Sequence, residues 1–481
     1  MEVCGDKVCA DALEVLKKKF GISSLKDYQT DFFKTFHHHL QQQQRVPDFF
    51  IAQPTGHGKS LLFQGISCFL GHLALGQVQP SSTTALVICP INALIEDQVA
   101  LMAKRDIIAK RWTHDMCAKD LECVDVLFTS PETILSDSSR DLLKKKDVIK
   151  TICAVFVDES HCIEKWGTSS DKRRAAFRES FSQLAEVRSL LAKPIPFVAM
   201  TATAMRRTRD FIIANLQMYQ PKLYIRSPGK QNITYTLHTV NHKNVDKIFQ
   251  PLIEELRIHK YDCERVVIFS NRDNVVDIFG SFDYILREEY PMYETRPYAM
   301  YHSTTEEPIK KHIVESFQDP NGTIRILMAT IAFGMGIDCK NLHQVIHFGP
   351  PADLDSYFQE SGRAGRDGKQ SVALLLRYPK SFIRNSSETI KEYCLLEDKC
   401  RRQMLLKLYD SSEKIPEITP QHNCCDFCYQ SCDCGDCHLP KHFIDVDEIK
   451  PIIDVDEEVV VEEDTECFEK EDSGNEIDSD E

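Results

Sequence analysis

The stretch QPTGHGKSLLF (Gln53–Phe63) decides how this chain is read. An apolar run, FFIAQ, enters it and an apolar helical pattern leaves it, so a strand turns into a helix here. Glycines at 56 and 58 let backbone N–H groups close on a phosphate, and the N-terminus of the following helix adds positive potential. Lys59 is placed to reach β- and γ-phosphates, and Ser60 to hold Mg²⁺. The strict G-x-x-x-x-G-K-[ST] pattern asks for glycine at 53, where this sequence has Gln. A GKS triplet in an ordinary loop is the competing reading, and the next two motifs weaken it.

CAVFVDESHCIEKWG (Cys153–Gly167) puts Asp158 and Glu159 at the end of an apolar strand, about 100 residues further on. Asp158 suits a Mg²⁺ ion held through water, and Glu159 suits polarisation of an attacking water. YFQESGRAGRDGK (Tyr357–Lys369) then places Arg363 and Arg366 three residues apart among small residues, able to face one cleft. An arginine delivered to a γ-phosphate stabilises transition-state charge, with effects of ~10³–10⁵ in rate.

The chain has 481 residues, 42% hydrophobic and 27% charged, which suits a soluble protein of two to four domains. Its N-terminus lacks the basic-then-apolar design of a secretory signal, and no run of about eighteen apolar residues suggests a membrane span. Clustered cysteines in a reducing compartment point to metal rather than disulfides. From Ile444 to Glu481 there are 18 acidic residues against two lysines, a net −16, so of the chain's −15 the first 443 residues carry +1. Whole-chain acidity therefore says nothing against nucleic acid as a partner of the body.

Short β-rich runs alternate with helical patterns: FFIAQ, ALVICP, DVLFTSP, AVFVDES, PFVAMTATA, then RVVIFSN, IRILMAT, QVIHFG and VALLLRY. This rhythm predicts an α/β fold of two parallel-sheet domains, with function at the C-terminal ends of the strands. The expected divisions are 1–222, 223–388, a Cys-rich helical segment at 389–442 and a disordered acidic tail at 443–481. HHHLQQQQRVPD (His37–Asp48) reads as a polar loop between two helical stretches.

With these motifs in order, the chain resembles a superfamily 2 DExH-box helicase of the RecQ family. FGISSLKDYQ (Phe20–Gln29), CPINALIEDQV (Cys89–Val99), FTSPE (Phe128–Glu132), MTATA (Met200–Ala204), IFSN, YHSTT, TIAFGMGID (Thr330–Asp338) and QESGRAGRDG carry the likeness. It covers about Leu16–Cys428. The resemblance implies two RecA-like domains facing across ATP. It assigns Gln29 to the adenine, and Lys26, Thr55, Gly56, Gly58, Lys59, Ser60 and Asp338 to the nucleotide. Asp158 and Glu159, with Gln359, Arg363 and Arg366, belong to hydrolysis, and Ser60 and Asp158 to magnesium. It also implies DNA as substrate, 3′-to-5′ movement on single-stranded or 3′-tailed DNA, and a nuclear role in repair or recombination.

Two departures stand out. The family's aromatic loop, roughly QWGHDFRPxY, is here EKWGTSSDKRRAAFRESF. Trp166 and Phe177 remain as DNA-coupling aromatics, with His161 as the link from the ATP site, and Lys172, Arg173 and Arg174 fill an insertion. Family zinc domains pair CRR with C-x-x-C-D-x-C. Cys400, Cys425 and Cys428 match, and the remaining ligand falls at His422 or Cys424, so four of these five would hold Zn²⁺. Cys432, Cys434 and Cys437 are surplus to that site and too few for a second. In the tail, Ile452–Asp464 combines aliphatic trios with acids and resembles a SUMO-interacting motif. The competing functions are an ATPase-impaired scaffold that recruits partners through this tail, and a DExH RNA helicase.

Overall fold

The computed structural model describes residues 2–54, 56–74, 83–90, 92–165, 167, 178–191, 193–241, 245–333, 339–383, 386–409, 417–435 and 437. They form two compact units that meet in sequence at Pro228 and Gly229. The first unit contains β1 (Phe49–Ala52), β2 (Thr84–Ile88), β3 (Ala109–Arg111), β4 (Val126–Thr129), β5 (Ile152–Val157), β6 (Phe197–Thr201) and β7 (Lys222–Ile225). They lie in the order β3-β4-β2-β5-β6-β1-β7, every pair parallel.

The second unit contains β8 (Ile233–Thr239), β9 (Arg265–Phe269), β10 (Tyr298–Tyr301), β11 (Ile326–Ala329), β12 (Leu342–Phe348) and β13 (Ser371–Arg377). Their order is β10-β11-β9-β12-β13-β8, again parallel throughout. Parallel neighbours need crossover connections, and helices supply them, covering both faces. Hence the interior strands FFIA, TALVI, VLFT and ICAVFV are buried at every residue.

Aromatic rings fill the first core. Phe32 and Phe36 of the helix Asp27–Gln41 pack with Phe49, Phe33 packs with Phe69, and Phe63 of the helix Leu61–Ala74 meets Phe128 and Phe156 edge-on. The histidine run is therefore not a loop. His37–Leu40 complete the helix Asp27–Gln41, with His37 buried beyond Phe36 and His38 and His39 in the last turn, where the helix dipole favours basic groups. The rest of the stretch, Gln42 to Asp48, does form a loop, and it leads into β1 rather than into a second helix. The division expected after residue 222 also moves, because β7 spans 222–225 and pairs with β1.

In the second unit, a buried cation holds three segments. Arg265, at the start of β9, is 1% exposed. Its guanidinium donates to the carbonyls of Ser316 (3.0 Å), Phe317 (3.4 Å), Asp319 (2.7 Å), Gly322 (3.2 Å) and Lys340 (2.8 Å). Ser316 and Phe317 lie in the last turn of the helix Glu307–Gln318, whose carbonyls lack intrahelical donors. Gly322 must be glycine in this turn, since a Cβ there would lie 1.9 Å from the Ser316 oxygen.

Arg265→Met keeps the apolar stem and strands these carbonyls, at a cost of about 3 kcal/mol or more. Amide exchange in β9, β11 and β12 is expected to accelerate by about 10²-fold or more, with β2 and β5 unchanged. Hydrogen–deuterium exchange with peptide-level readout measures it, and equal protection in the variant would contradict the role given to Arg265.

Candidate active site

The glycine-rich loop begins where β1 ends. Gln53 still behaves as strand, its N–H donating to the Thr201 carbonyl (3.2 Å), so no glycine is needed at this position. Its side-chain amide donates to the Tyr224 carbonyl on β7 (3.1 Å), and its own carbonyl accepts from Lys59 Nζ (2.8 Å). The real turn falls on Gly56 (φ +80°) and Gly58 (φ +76°), which take the left-handed conformation.

Gln29 fixes this turn from outside. Its Nε2 donates to the Gly58 carbonyl (2.9 Å) and its Oε1 accepts from the Lys26 N–H (2.9 Å). A Cβ at 58 would approach Gln29 Nε2 to 2.8 Å. The Gln29 amide, expected to read adenine, is thus engaged with the loop in this structure. Tyr28 adds a second tie, donating from its hydroxyl to the His57 carbonyl (2.7 Å).

Cations crowd the same turn. Partial burial, and then Lys26, Arg226 and Lys59 in that order, push the His57 pKa down to about 4. A neutral His57 ring places Nδ1 3.4 Å from Arg226 Nη1, where it can accept. The pKa of Lys26 is lowered too, by burial and then by Arg226 and Lys59. Three cations gathered on a glycine turn at a helix N-terminus fit a polyphosphate. Arg226 is absent from the motifs of the sequence. It follows β7, about 170 residues beyond the loop, and only the pairing of β7 with β1 brings it there.

The acids stand two strands away, after β5. Asp158 Oδ1 accepts from the Glu159 N–H (3.0 Å), and Glu159 takes φ +45°, a sharp turn for a non-glycine residue. Burial and then Glu159 raise the Asp158 pKa to about 6, against the opposing pull of Lys59. His161, 5% exposed, sets Nδ1 3.3 Å from Glu159 Oε2 and 3.2 Å from Thr201 Oγ1. Burial opposes a charge on His161, yet Cys162 and Glu159 together raise its pKa above the ordinary imidazole value. Thr201 Oγ1 donates to the Thr203 carbonyl (2.7 Å). His161 thus joins the acid pair to the MTATA segment.

In the second unit, the QESGRAGRDG loop is built on a buried pair, His347 Nε2 and Glu360 Oε2, 2.8 Å apart. Arg363 is buried, 5.8 Å from the Phe333 ring centre. Burial lowers its pKa, and Arg366 adds to the shift. Two residues outside the motif hold the turn. Lys230 Nζ donates to the carbonyls of Gly362 (2.7 Å) and Ala364 (2.8 Å), one on each side of Arg363. Asn232 Nδ2 donates to those of Gly365 (2.9 Å) and Lys369 (2.6 Å). Gln359 is half-buried on the helix Leu354–Ser361.

The candidate metal ligands separate into two groups. Cys400, Cys424, Cys425 and Cys428 bring their sulfurs together within 4.8 Å, with Cys400 3.5 Å from Cys424 and 3.8 Å from Cys425. Zn–S bonds of ~2.3 Å in a tetrahedron give sulfur–sulfur edges of about 3.8 Å, so the thiols fit zinc. Cys424 therefore fills the place left open between it and His422, which faces Cys432, Cys434 and Cys437 instead. Arg401 Nε donates to both oxygens of Asp426 (2.7 and 2.8 Å), and Arg402 to the carbonyls of Lys230 (2.6 Å) and Ile233. The segment docks on β8, where the Tyr235 N–H donates to the Cys424 carbonyl (3.3 Å) and Thr234 Oγ1 to that of Asn423 (2.9 Å).

Thr55, Trp166, Phe177, Asp338, the Lys172–Arg174 run and Ile452–Asp464 lie outside the described residues. Arg178, next to Phe177, is described. It pairs with Glu132 through Nε (2.8 Å) and Nη2 (2.5 Å) and also donates to the Pro90 carbonyl. The displaced FRESF segment is thereby fastened to both FTSPE and the CPINALIEDQV segment.

Two parallel sheets, a P-loop with paired acids, and a braced arginine loop define a tandem RecA-like protein of the helicase class. A DEAD/DEAH box helicase model matches residues 27–211, and a helicase conserved C-terminal domain model matches 247–368. The ATP-dependent helicase wrn-1 of Caenorhabditis elegans is 30% identical over 448 residues, 87% of this chain and 38% of that protein. The ATP-dependent DNA helicase RecQ of Haemophilus influenzae is 28% identical over 446 residues, 87% of this chain and 63% of that protein. The chain belongs to the RecQ family, and spans less than two thirds of either relative. The DUF1998 helicase MrfA bound to DNA shares the fold, with a TM-score of 0.59 at 16% identity over 79% of this chain and 52% of that one. Among the described residues no helix is long and apolar enough to cross a membrane.

A carboxyl whose pKa rises on folding, from 3.8 to about 6 at Asp158, costs stability when ionised. That cost grows between about pH 4 and pH 6 and stays constant above. Asp158→Asn is expected to stabilise magnesium-free protein at neutral pH by about 1–2 kcal/mol, below the ~1.4 kcal/mol per unit limit because Asp158 is partly open to solvent. The gain should vanish near pH 4. Thermal melts of both proteins in chelator across this range test it, and a variant less stable at every pH contradicts it.

Proposed function

We propose that this chain is an ATP-dependent DNA helicase or translocase that moves 3′-to-5′ on single-stranded DNA, in repair or recombination in the nucleus. The observation that carries the reading is the gathering of Lys26, Lys59, Arg226 and neutral His57 on a glycine turn in the same sheet as a paired-acid turn. The names of the relatives, an ATP-dependent helicase and an ATP-dependent DNA helicase, support the DNA half.

In this reading Gln29 and Tyr28 hold the loop open for phosphate oxygens, and Lys59 exchanges the Gln53 carbonyl for a phosphate. Ser60 and Asp158 would hold Mg²⁺, which when bound neutralises phosphate charge. Glu159, fixed by His161, orients the attacking water. Arg366 stabilises charge developing on the transferred phosphoryl group, and Arg363 supports it. His161 and Thr201 carry the state of Glu159 to the MTATA segment, and Arg178 fastens FRESF to the segments proposed to face DNA. Zn²⁺ bound by Cys400, Cys424, Cys425 and Cys428 braces the second unit. Ile452–Asp464 is proposed as a strand-adding segment for a SUMO-like partner.

ATP hydrolysis is expected to rise severalfold or more with single-stranded DNA, and 3′-tailed duplexes to be opened or traversed. Lys59→Ala serves as the blank. Arg366→Ala should lower kcat by ~10³-fold or more. Failure of both DNA and RNA to stimulate active protein would sink the motor reading, and stimulation by RNA alone would select the RNA helicase. Arg178→Ala should reduce DNA stimulation while DNA-free hydrolysis and thermal stability change little.

A further inference from the structure

The cysteines that the first zinc site does not use converge on a histidine. His422, on the short turn Gln421–Asn423, is 8% exposed and presents Nδ1 to two thiols. Cys434 Sγ is 3.3 Å away and Cys432 Sγ 3.5 Å, while Cys434 and Cys437 sulfurs are 3.4 Å apart. All four ligand atoms lie within 4.8 Å of one another. Three thiols alone are too few for a second site, and His422, which the Cys400 cluster does not include, supplies the fourth ligand atom.

We propose that His422, Cys432, Cys434 and Cys437 form a second, Cys3His zinc site. Tetrahedral zinc with Zn–S of ~2.3 Å and Zn–N of ~2.0 Å demands S···S edges of about 3.8 Å and N···S edges of about 3.5 Å. The separations of the four atoms match a set that closes on one ion. Hydrophobic packing gives no account of them, since Cys434 is exposed and Cys432 and Cys437 are only half-buried. Nor is a bond already formed, because disulfide sulfurs stand ~2.05 Å apart. A thiol is a weak hydrogen-bond donor, and three of them gathered at one imidazole edge have little reason to meet without a cation. Thiolate sulfur with imidazole nitrogen selects zinc over magnesium or calcium.

The two sets interleave in sequence, Cys400 of the first standing ahead of His422. His422 precedes Cys424, Cys425 and Cys428, and the three outer thiols follow them, across the helix Asp426–Gln430. The second ion would therefore close a loop from 422 to 437 that carries three of the first site's four thiols, Cys400 alone reaching it from outside. It would restrain the point where the chain leaves this segment, so its loss loosens the exit and leaves the Cys400 site whole. The proposal concerns metal content and stands apart from the helicase reading.

Zinc content of the reduced full-length chain decides it. Mass spectrometry of eluted metal is expected to give two equivalents per chain. The double variant C434S/C437S should keep one, and His422→Cys should keep two, now as a second all-thiolate centre. Cobalt-exchanged protein should show two ligand-field patterns, of which C434S/C437S loses the Cys3His set. One equivalent in the wild type overturns the proposal even if every variant fails to fold. So does a wild type with one zinc and a Cys434–Cys437 disulfide, or two equivalents that persist in C434S/C437S.

Discussion

Strand direction is the constraint on which the rest of this molecule depends. Each sheet is parallel throughout, so all C-terminal strand ends of a unit lie along one edge. Backbone polar groups leaving that edge cannot stay in the ladder and must be met by side chains, ligands or turns. In the first unit the edge collects the glycine turn after β1, Asp158 to His161 after β5, Thr201 and Thr203 after β6, and Arg226 after β7. Residues up to 170 positions apart become neighbours because the sheet permits no other exit. Chemistry follows from topology here.

The same constraint explains which strands the sequence revealed. FFIA, TALVI, VLFT, ICAVFV and FVAMT lie inside the first sheet, and RVVIF, ILMA, LHQVIHF and SVALLLR inside the second. All were legible as apolar runs, since a strand covered on both faces is apolar at most of its positions. The four missed, β3, β7, β8 and β10, are the four edges. An edge strand has a sheet neighbour on one side only, and AKR, KLYI, ITYTLHT and YAMY carry charges and hydroxyls that break the run. The histidine run failed for the opposite reason: its polarity read as loop, although it ends a helix whose other face is buried.

Motif residues were found wherever their chemistry required one side-chain type at fixed spacing. Their supports were not, because a support needs only a reachable donor. Lys230 and Asn232 hold the arginine loop through carbonyls that any sequence offers, and Arg178 reaches a carboxylate 46 positions away. Gln53 shows the converse. A pattern asks for glycine there, but the backbone continues β1 and tolerates a side chain, which then finds a carbonyl on β7. The cysteines are legible as candidate metal ligands by type, and only folding sorts them into two clusters, since Cys424 and His422 are two residues apart.

One feature reaches beyond nucleotide chemistry. β8 is an open sheet edge, and the Cys424–Asp426 segment lies against it, exchanging backbone and side-chain hydrogen bonds with Thr234, Tyr235 and Leu237. An uncovered edge of this kind is a template for a strand from another molecule. Zinc bound as proposed would hold this flap in place and so keep the edge covered. Chelation would then strip the cover from an adhesive edge, and turn loss of a metal into self-association.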